Sequence, residues 1–344
     1  MTTLRGGAGG AVRSVLPTAI NLAVLSATLL PSLRSVQPFE RLTGLAEGRT
    51  AVAFLSASLM LGLVLNALQN PLYRILEGYL LWPSAAYERG CRRHRRRRQA
   101  WSDRLAVLRL ERRAGEGPLP PAQAAELARL QGERSVVRHR ERDRRSTIIR
   151  RALLQERLAR YPVDDGQLAP TQLGNAIRRF EEYAYDRYRL DSQLLWNDLT
   201  ATAPEQARRQ VDTARTSVDF FVCLLYGHLA VLAAALATLA SRPADTPVVL
   251  ATVVALSVLS PVWYRCAVHA TDEWAAAVRA LINVGRASLA DALGLIMPAQ
   301  LAEEREMWSM VSRLSRIPYH ERAAALDRFR RDPAAATQDD GSTV

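Results

Sequence analysis

Asp219 and His228 stand nine residues apart in a run that otherwise carries no charge, SVDFFVCLLYGHLAVLAAALATLA at 217–240. Titratable groups in a stretch that apolar are costly in lipid and are functional candidates by default. Asn66 and Asn21 add neutral polar groups to two further apolar runs. A proton or ion path needs a connected chain of such groups, and four of them scattered over three runs are too few to define one. The plainer chemistry is hydrogen bonding between helices, with Asp219 pairing Arg215 one turn before it. A second candidate is the run RRHRRRRQ at 92–99, which gathers Arg92, Arg93, Arg95, Arg96, Arg97 and Arg98. Beside a membrane each such Arg contributes about 1 kcal/mol of attraction to anionic lipid heads. The same charges could neutralise nucleic-acid phosphates. No stacking aromatics or nucleic-acid motif accompany them, so membrane lipid is the expected partner and nucleic acid is not.

Most other chemistry is excluded by residue type or spacing. All 46 basic residues are Arg. Without Lys there is no Schiff base, no Lys general base and no phosphate loop of the Walker type. The five histidines, His94, His139, His228, His269 and His320, show no metal-ligand spacing. Cys91, Cys223 and Cys266 are too few and too far apart for a zinc site or a disulfide framework. Nucleophile elbows and GxGxxG turns are absent. Asp164-Asp165-Gly166 lacks the rest of a calcium loop. Glu181-Glu182 and Glu303-Glu304 read as solvated helix faces. No catalytic, cofactor-binding or metal-ligating set emerges, and an enzyme is not expected.

The elements that must hold these residues are helices. Mean hydropathy is −0.08, an average over long uncharged runs and Arg-dense stretches. About 20 apolar residues at about 1.5 Å each cross the ~30 Å hydrocarbon core, and only helices leave no backbone group unpaired there. Four runs qualify: about 15–36, 51–69, 217–240 and 247–264. The first is the weakest, broken by Pro17, Asn21, Pro31 and Arg34. The expected fold is therefore all-α, a polytopic membrane protein with four transmembrane helices and a cytoplasmic helical domain. Its parts are a tail at 1–14, a transmembrane hairpin with an interfacial helix at 15–82, and a cytoplasmic helical domain at 83–215. A second hairpin at 216–264, cytoplasmic helices at 265–330 and a disordered tail at 331–344 follow. Arg near span ends sets orientation. The Arg92–Arg98 cluster, Arg208, Arg209, Arg215 and Arg265 flank the large loop and the C-terminal part, which places both termini in the cytoplasm of a bacterial inner membrane. Arg34, Arg41 and Arg49 in the first loop pull the other way and are outweighed. Tyr73, Tyr79, Trp82, Trp263 and Tyr264 would form an aromatic belt.

Within the cytoplasmic part, the sequence predicts an amphipathic helix over 70–90 with a kink at Asn70-Pro71. Helices over 101–113 and 122–160 follow, joined by AGEGPLPP. This hairpin could pair with another copy as a short coiled coil, although sustained heptads are absent. Thr171 caps a helix to about Tyr188, which breaks at 189–191. An unbroken helix runs from Pro204 into the third span. The fourth span continues to Gly294-Pro298, and a last helix carries Leu301, Trp308, Val311 and Leu314.

Two stretches share a further pattern. One holds Pro170-Thr171, Leu173-Gly174-Asn175, Arg187-Tyr188, Leu190-Asp191 and Leu195-Trp196. The other holds Trp274, Val278-Arg279-Ala280-Leu281, Arg286, Leu293-Gly294-Leu295, Met297-Pro298, Glu304-Arg305 and Trp308. Over about 165–310 this arrangement resembles an uncharacterised family of four-span membrane proteins of high-GC bacteria. The chain departs from it at Arg189, where Gly is expected. The resemblance implies architecture alone, and no activity, cofactor or site residue comes with it. Two functions remain: a scaffold that presents the cytoplasmic domain to a protein partner or another copy, and an oligomeric channel or transporter that uses the polar groups of the spans.

Overall fold

The structure, a computed structural model, describes residues 15–29, 47–142, 145–241, 245–318 and 320–331. The N-terminal tail, Pro31, Arg34 and Arg41 of the first loop, Arg242 and the final tail from 332 lie outside the described residues. Among the described residues every regular element is helical, and the one β feature is an isolated bridge between Leu295 and Arg330.

The helices in chain order are α1 Leu16–Thr28, α2 Glu47–Ala67, α3 Gln69–Glu77, α4 Ser84–Glu116, α5 Pro121–Gln131, α6 Arg134–Arg142 and α7 Thr147–Leu158. They continue as α8 Gln172–Glu181, α9 Tyr183–Tyr188, α10 Trp196–Thr202, α11 Glu205–Ala240, α12 Thr246–Ala292 and α13 Leu301–Leu314. Short 3-10 turns at Asp165–Gln167 and Glu321–Phe329 complete the chain.

The axis of the molecule is the antiparallel pair α11 and α12, of 36 and 47 residues. At about 1.5 Å per residue they are roughly 54 and 70 Å long. Both therefore outreach the ~30 Å hydrocarbon core and carry their far ends into the polar domain. Nothing interrupts α11 before Gly227, because no Gly or Pro falls in 205–226. Pro261 lies inside α12 and withholds one N–H from the Ser257 carbonyl, a loss that packed spans tolerate.

These two helices are long and apolar enough to cross a membrane, and a third span is present if α2 and α3 count as one helix bent by 52°. The bend falls at Leu68, beside the expected Asn70-Pro71 kink, since Pro71 has no N–H for the Ala67 carbonyl. The fourth expected span is incomplete among the described residues. Helix α1 has 13 residues, about 20 Å, and is too short alone to cross. It lies along α11 in step with it, so that Asn21 meets Gly227 and His228 while Leu25 and Leu29 cluster with Val231 and Ala235. Large apolar side chains on the opposite faces stay uncovered: Val52, Leu55, Met60 and Leu63 on α2, and Leu250, Val254 and Val258 on α12. An apolar band of this extent needs a lipid covering, and the chain is a membrane protein.

The polar domain is built on the projecting ends of α11 and α12. One core joins Leu173, Ile177, Phe180, Leu190 and Leu199 to Val278, Leu281, Ile282 and Trp308. A second core, Trp101, Leu105, Leu108, Leu154, Tyr161 and Leu168, holds α4 to α7 and to the loop that follows. Each such side chain, fully buried, contributes roughly 1.5–3 kcal/mol.

Two helix expectations are corrected here. The amphipathic helix expected over 70–90 stops at Glu77, because Gly78 takes φ +91°. A Cβ at Gly78 would stand 2.4 Å from the Pro170 ring, so only glycine allows this turn. A new 33-residue helix, α4, then runs through the Arg cluster. The single helix expected over 122–160 is three, α5, α6 and α7. The chain folds back after Gln131 so that Val136 can join Val107 and Leu130 in a small core of its own.

Candidate functional site

The polar groups of the spans are brought together in pairs. Asp219 is fully buried on α11. It accepts a 2.7 Å hydrogen bond from the Tyr73 hydroxyl of α3 and has Arg215 Nε 3.8 Å away. Two turns further on, Tyr226 donates to the Leu72 carbonyl at 3.0 Å. These bonds pin α3 to α11. His228 is buried and places Nδ1 2.6 Å from Asn21 Oδ1. The Asn21 amide donates to the Pro17 carbonyl at 2.7 Å, so its oxygen faces the imidazole and His228 carries its proton on Nδ1. Asn21 lies so close to Gly227 that a Cβ there would stand 2.1 Å from the amide nitrogen. The Trp263 indole meets the His228 ring edge-on at 6.0 Å and stacks on Phe221. Asn66 lies on an exposed face of α2. Of the candidates, Asp219 is thus engaged by Tyr73 and His228 by Asn21.

Most residues of the expected aromatic belt make contacts within the protein. Tyr73 binds Asp219, and Trp82 donates to the Ile75 carbonyl at 2.7 Å. The Tyr264 hydroxyl of α12 accepts from the Gln172 and Leu173 N–H groups at 3.0 and 3.2 Å, capping α8. Pro170 to Asn175 forms a knot around that cap. Thr171 Oγ1 accepts from the Gly174 N–H at 2.9 Å and donates to the Leu76 carbonyl. Asn175 bonds the Ala169 N–H and carbonyl at 2.9 and 2.8 Å. Arg178 donates to the Gln167 and Glu77 carbonyls and lies over the Tyr79 ring at 4.8 Å. The second stretch closes the other side of the core. Arg286 pairs with Glu304 at 2.8 Å and covers the Tyr188 ring at 4.4 Å. Tyr183 and Tyr188 both donate to Asn283 Oδ1.

Several members of the Arg cluster have partners within the protein while staying largely exposed. Arg95 and Arg98 pair with Asp165 across the loop, and Arg98 donates to the Val163 carbonyl at 2.7 Å. Arg97 lies over Trp101 at 5.3 Å, and Arg92 pairs with Glu88 on its own helix. Arg93 and Arg96 are exposed. Beneath them His94 is buried 2.9 Å from the Tyr161 hydroxyl. Burial, reinforced by Arg97 and Arg93, lowers its pKa to about 4, so it is neutral at neutral pH.

Glu156, His269 and Asp272 point ligand atoms to within 4.8 Å of one another. The place of a cation is taken by Arg160, which is almost fully buried. Its guanidinium lies 2.6 Å from Asp272, 2.7 Å from Glu156 and 3.3 Å from His269. The group is an ion-pair joint between α7 and α12. Sequence reasoning missed it, because Arg160 and Asp272 are 112 residues apart and each looks like one charge among many. It also took Glu181 as solvated. Glu181 is partly buried, and burial, with Glu77 adding to it, lifts its pKa to about 7.

Comparison of the chain with protein families, curated proteins and solved structures found no match.

Proposed function

We propose that the chain is a membrane-anchored helical scaffold. Four spans, with both termini on the cytoplasmic face of a bacterial inner membrane, present the domain formed by 83–215 and 265–330 to a protein partner or a second copy. The observation that carries this reading is the continuity of α11 and α12. Each leaves the apolar zone without a break and then supplies the wall of the main core, so the domain is fixed to its anchor. The polar groups of the spans support the same reading. Asp219 and His228 are engaged with Tyr73 and Asn21, which is how interhelical hydrogen bonds hold an anchor together. A channel or transporter would need these groups to face water.

Single-cysteine labelling combined with flux assays tests the proposal. Cysteines at 115–120 are expected to be shielded from an external reagent and one at 243 to react with it. Proteoliposomes carrying the chain are expected to pass no more ions than empty ones. External labelling at 115–120 would overturn the orientation. Ion flux that disappears in His228→Leu with assembly unchanged would replace the scaffold with a pore.

A further inference from the structure

Leu81 holds φ +60°, a left-handed conformation that a bulky side chain adopts only under constraint, and it is 84% exposed. It stands in the turn that joins α3 to α4. That turn is fixed firmly to the end of α3. The Tyr79 and Leu80 N–H groups donate to the Arg74 carbonyl at 2.8 and 3.2 Å, and the Trp82 indole donates to the Ile75 carbonyl at 2.7 Å. Gly78 lies against the Pro170 ring, and the Arg178 guanidinium lies over Tyr79. Both aromatic residues of the turn are thus engaged by the protein. Leu80 and Leu81 are left exposed, with the outer part of Tyr79 beside them. A rigid turn that spends backbone strain to hold a large apolar side chain in the open calls for an apolar covering.

We propose that this turn inserts Leu80 and Leu81 into the bilayer leaflet on the side of the polar domain, and so attaches the domain to the membrane at a point apart from α11 and α12. Two observations name lipid as the covering. The first is continuity: the uncovered apolar face of α2 extends from Val52 to Leu68 at the bend, and the turn follows after the nine residues of α3. The second is depth. Tyr73 meets Asp219, which lies two residues, about 3 Å, inside the apolar run that begins at 217. Gly78 comes five residues after Tyr73, no more than about 8 Å along the helix, and the bonds to Arg74 and Ile75 hold the turn back at that level. It therefore stands within a headgroup layer about 5–7 Å thick, with the hydrocarbon edge next to it. Exposed Arg74 and Arg89, before and after the turn, suit the phosphates of the same layer. A protein partner fits less well, because a stable contact takes about 800 Å² from each side and three side chains supply a small part of that.

The test uses the full chain in proteoliposomes of phosphatidylcholine that carries a photoactivatable diazirine high in its acyl chain, with adducts mapped by mass spectrometry. Lipid adducts are expected on residues 79–82 as well as on α2. None is expected on Ile296, which is equally apolar and exposed but follows the end of α12, about 42 Å along the helix from Tyr264. Leu81→Asp is expected to cut the adducts on the turn roughly tenfold and to leave those on α2 in place, since a carboxylate resists entry into lipid. Asp tolerates the left-handed conformation better than Leu, so the variant is expected to unfold in detergent at the same temperature as the unaltered chain or above it. The proposal fails if α2 is labelled and 79–82 is not, if Leu81→Asp leaves the adducts on the turn unchanged, or if Ile296 is labelled as heavily as the turn. A turn without lipid adducts, at which a photo-cross-linker in place of Leu81 joins two copies, would assign it to self-association instead. None of these outcomes depends on which side of the membrane the polar domain faces or on its serving as a scaffold.

Discussion

Asp272→Asn is expected to loosen the polar domain from its anchor while the spans stay packed. Arg160 is the buried partner, and its guanidinium is shared among Asp272, Glu156 and His269. Asp272 provides two contacts below 3 Å, to Nε at 2.8 Å and Nη2 at 2.6 Å. Removing one partner of a buried pair costs about 3–5 kcal/mol. The Asp272 side chain is 41% exposed and Glu156 remains beside Arg160, so the loss should be nearer 2 kcal/mol. Arg160→Met removes the charge as well as the bonds and should cost less than Asp272→Asn, because no guanidinium is stranded. A double-mutant cycle read by chemical unfolding in detergent should give a coupling of about 1–2 kcal/mol. Hydrogen exchange should rise in α7 and around Tyr161, with α11 unchanged beyond Val218. Additive losses with no coupling, or faster exchange within the spans, would refute the assignment of this joint.

Three further outcomes follow from single residues. Arg189 holds φ +60°, a conformation that costs a side chain roughly 1–2 kcal/mol. Its contact with the Tyr185 ring at 4.8 Å returns about half of that, so Arg189→Gly should leave stability equal or raise it by up to about 1 kcal/mol, as thermal unfolding would show. Glu181 has a pKa lifted from the ordinary 4.5 to about 7. The folded state therefore binds its proton more tightly, and Glu181's contribution to stability is lost as pH rises from about 4.5 through 7. Glu181→Gln should flatten that decline and gain on the order of 1–3 kcal/mol at pH 8, and an unchanged pH profile would refute it. The Asn21–His228 bond should show a coupling of about 0.6–2 kcal/mol between Asn21→Leu and His228→Leu, measured by unfolding in bicelles. Zero coupling would remove it as a clamp.

Where one residue type and one periodicity decide, the sequence is a sufficient guide. The absence of Gly and Pro from 205–226, and the apolar spacing that continues past Tyr264, foretell both long helices to within a few residues. The Thr171 cap and the break at 189 were legible for the same reason. Arg189 takes the left-handed conformation at which glycine is the expected residue. The split of 122–160 was not legible, because its cause is tertiary: Val136 turns back to reach Val107 and Leu130. The partners of the polar groups were hidden in a similar way. Asp219 invited a local pair with Arg215, yet Tyr73, 146 residues away, donates to it at 2.7 Å while Arg215 stays at 3.8 Å. The contacts of the Arg cluster were hidden too: Arg95 and Arg98 reach Asp165 and Arg97 lies over Trp101, partners that the run itself does not name, while Arg95 and Arg97 stay exposed.

The claim that the polar domain is a partner surface is tested most directly by photo-cross-linking in intact membranes. The exposed apolar residues of the α5–α7 region offer the positions: a cross-linker in place of Val137 or Ile148, which are 43% and 82% exposed, leaves the cores untouched. The scaffold reading predicts one discrete adduct, with a single protein or a second copy, from these positions, and none from exposed positions of the spans such as Leu55 or Val258. Adducts between copies formed only through the spans, with the α5–α7 positions silent, would contradict it.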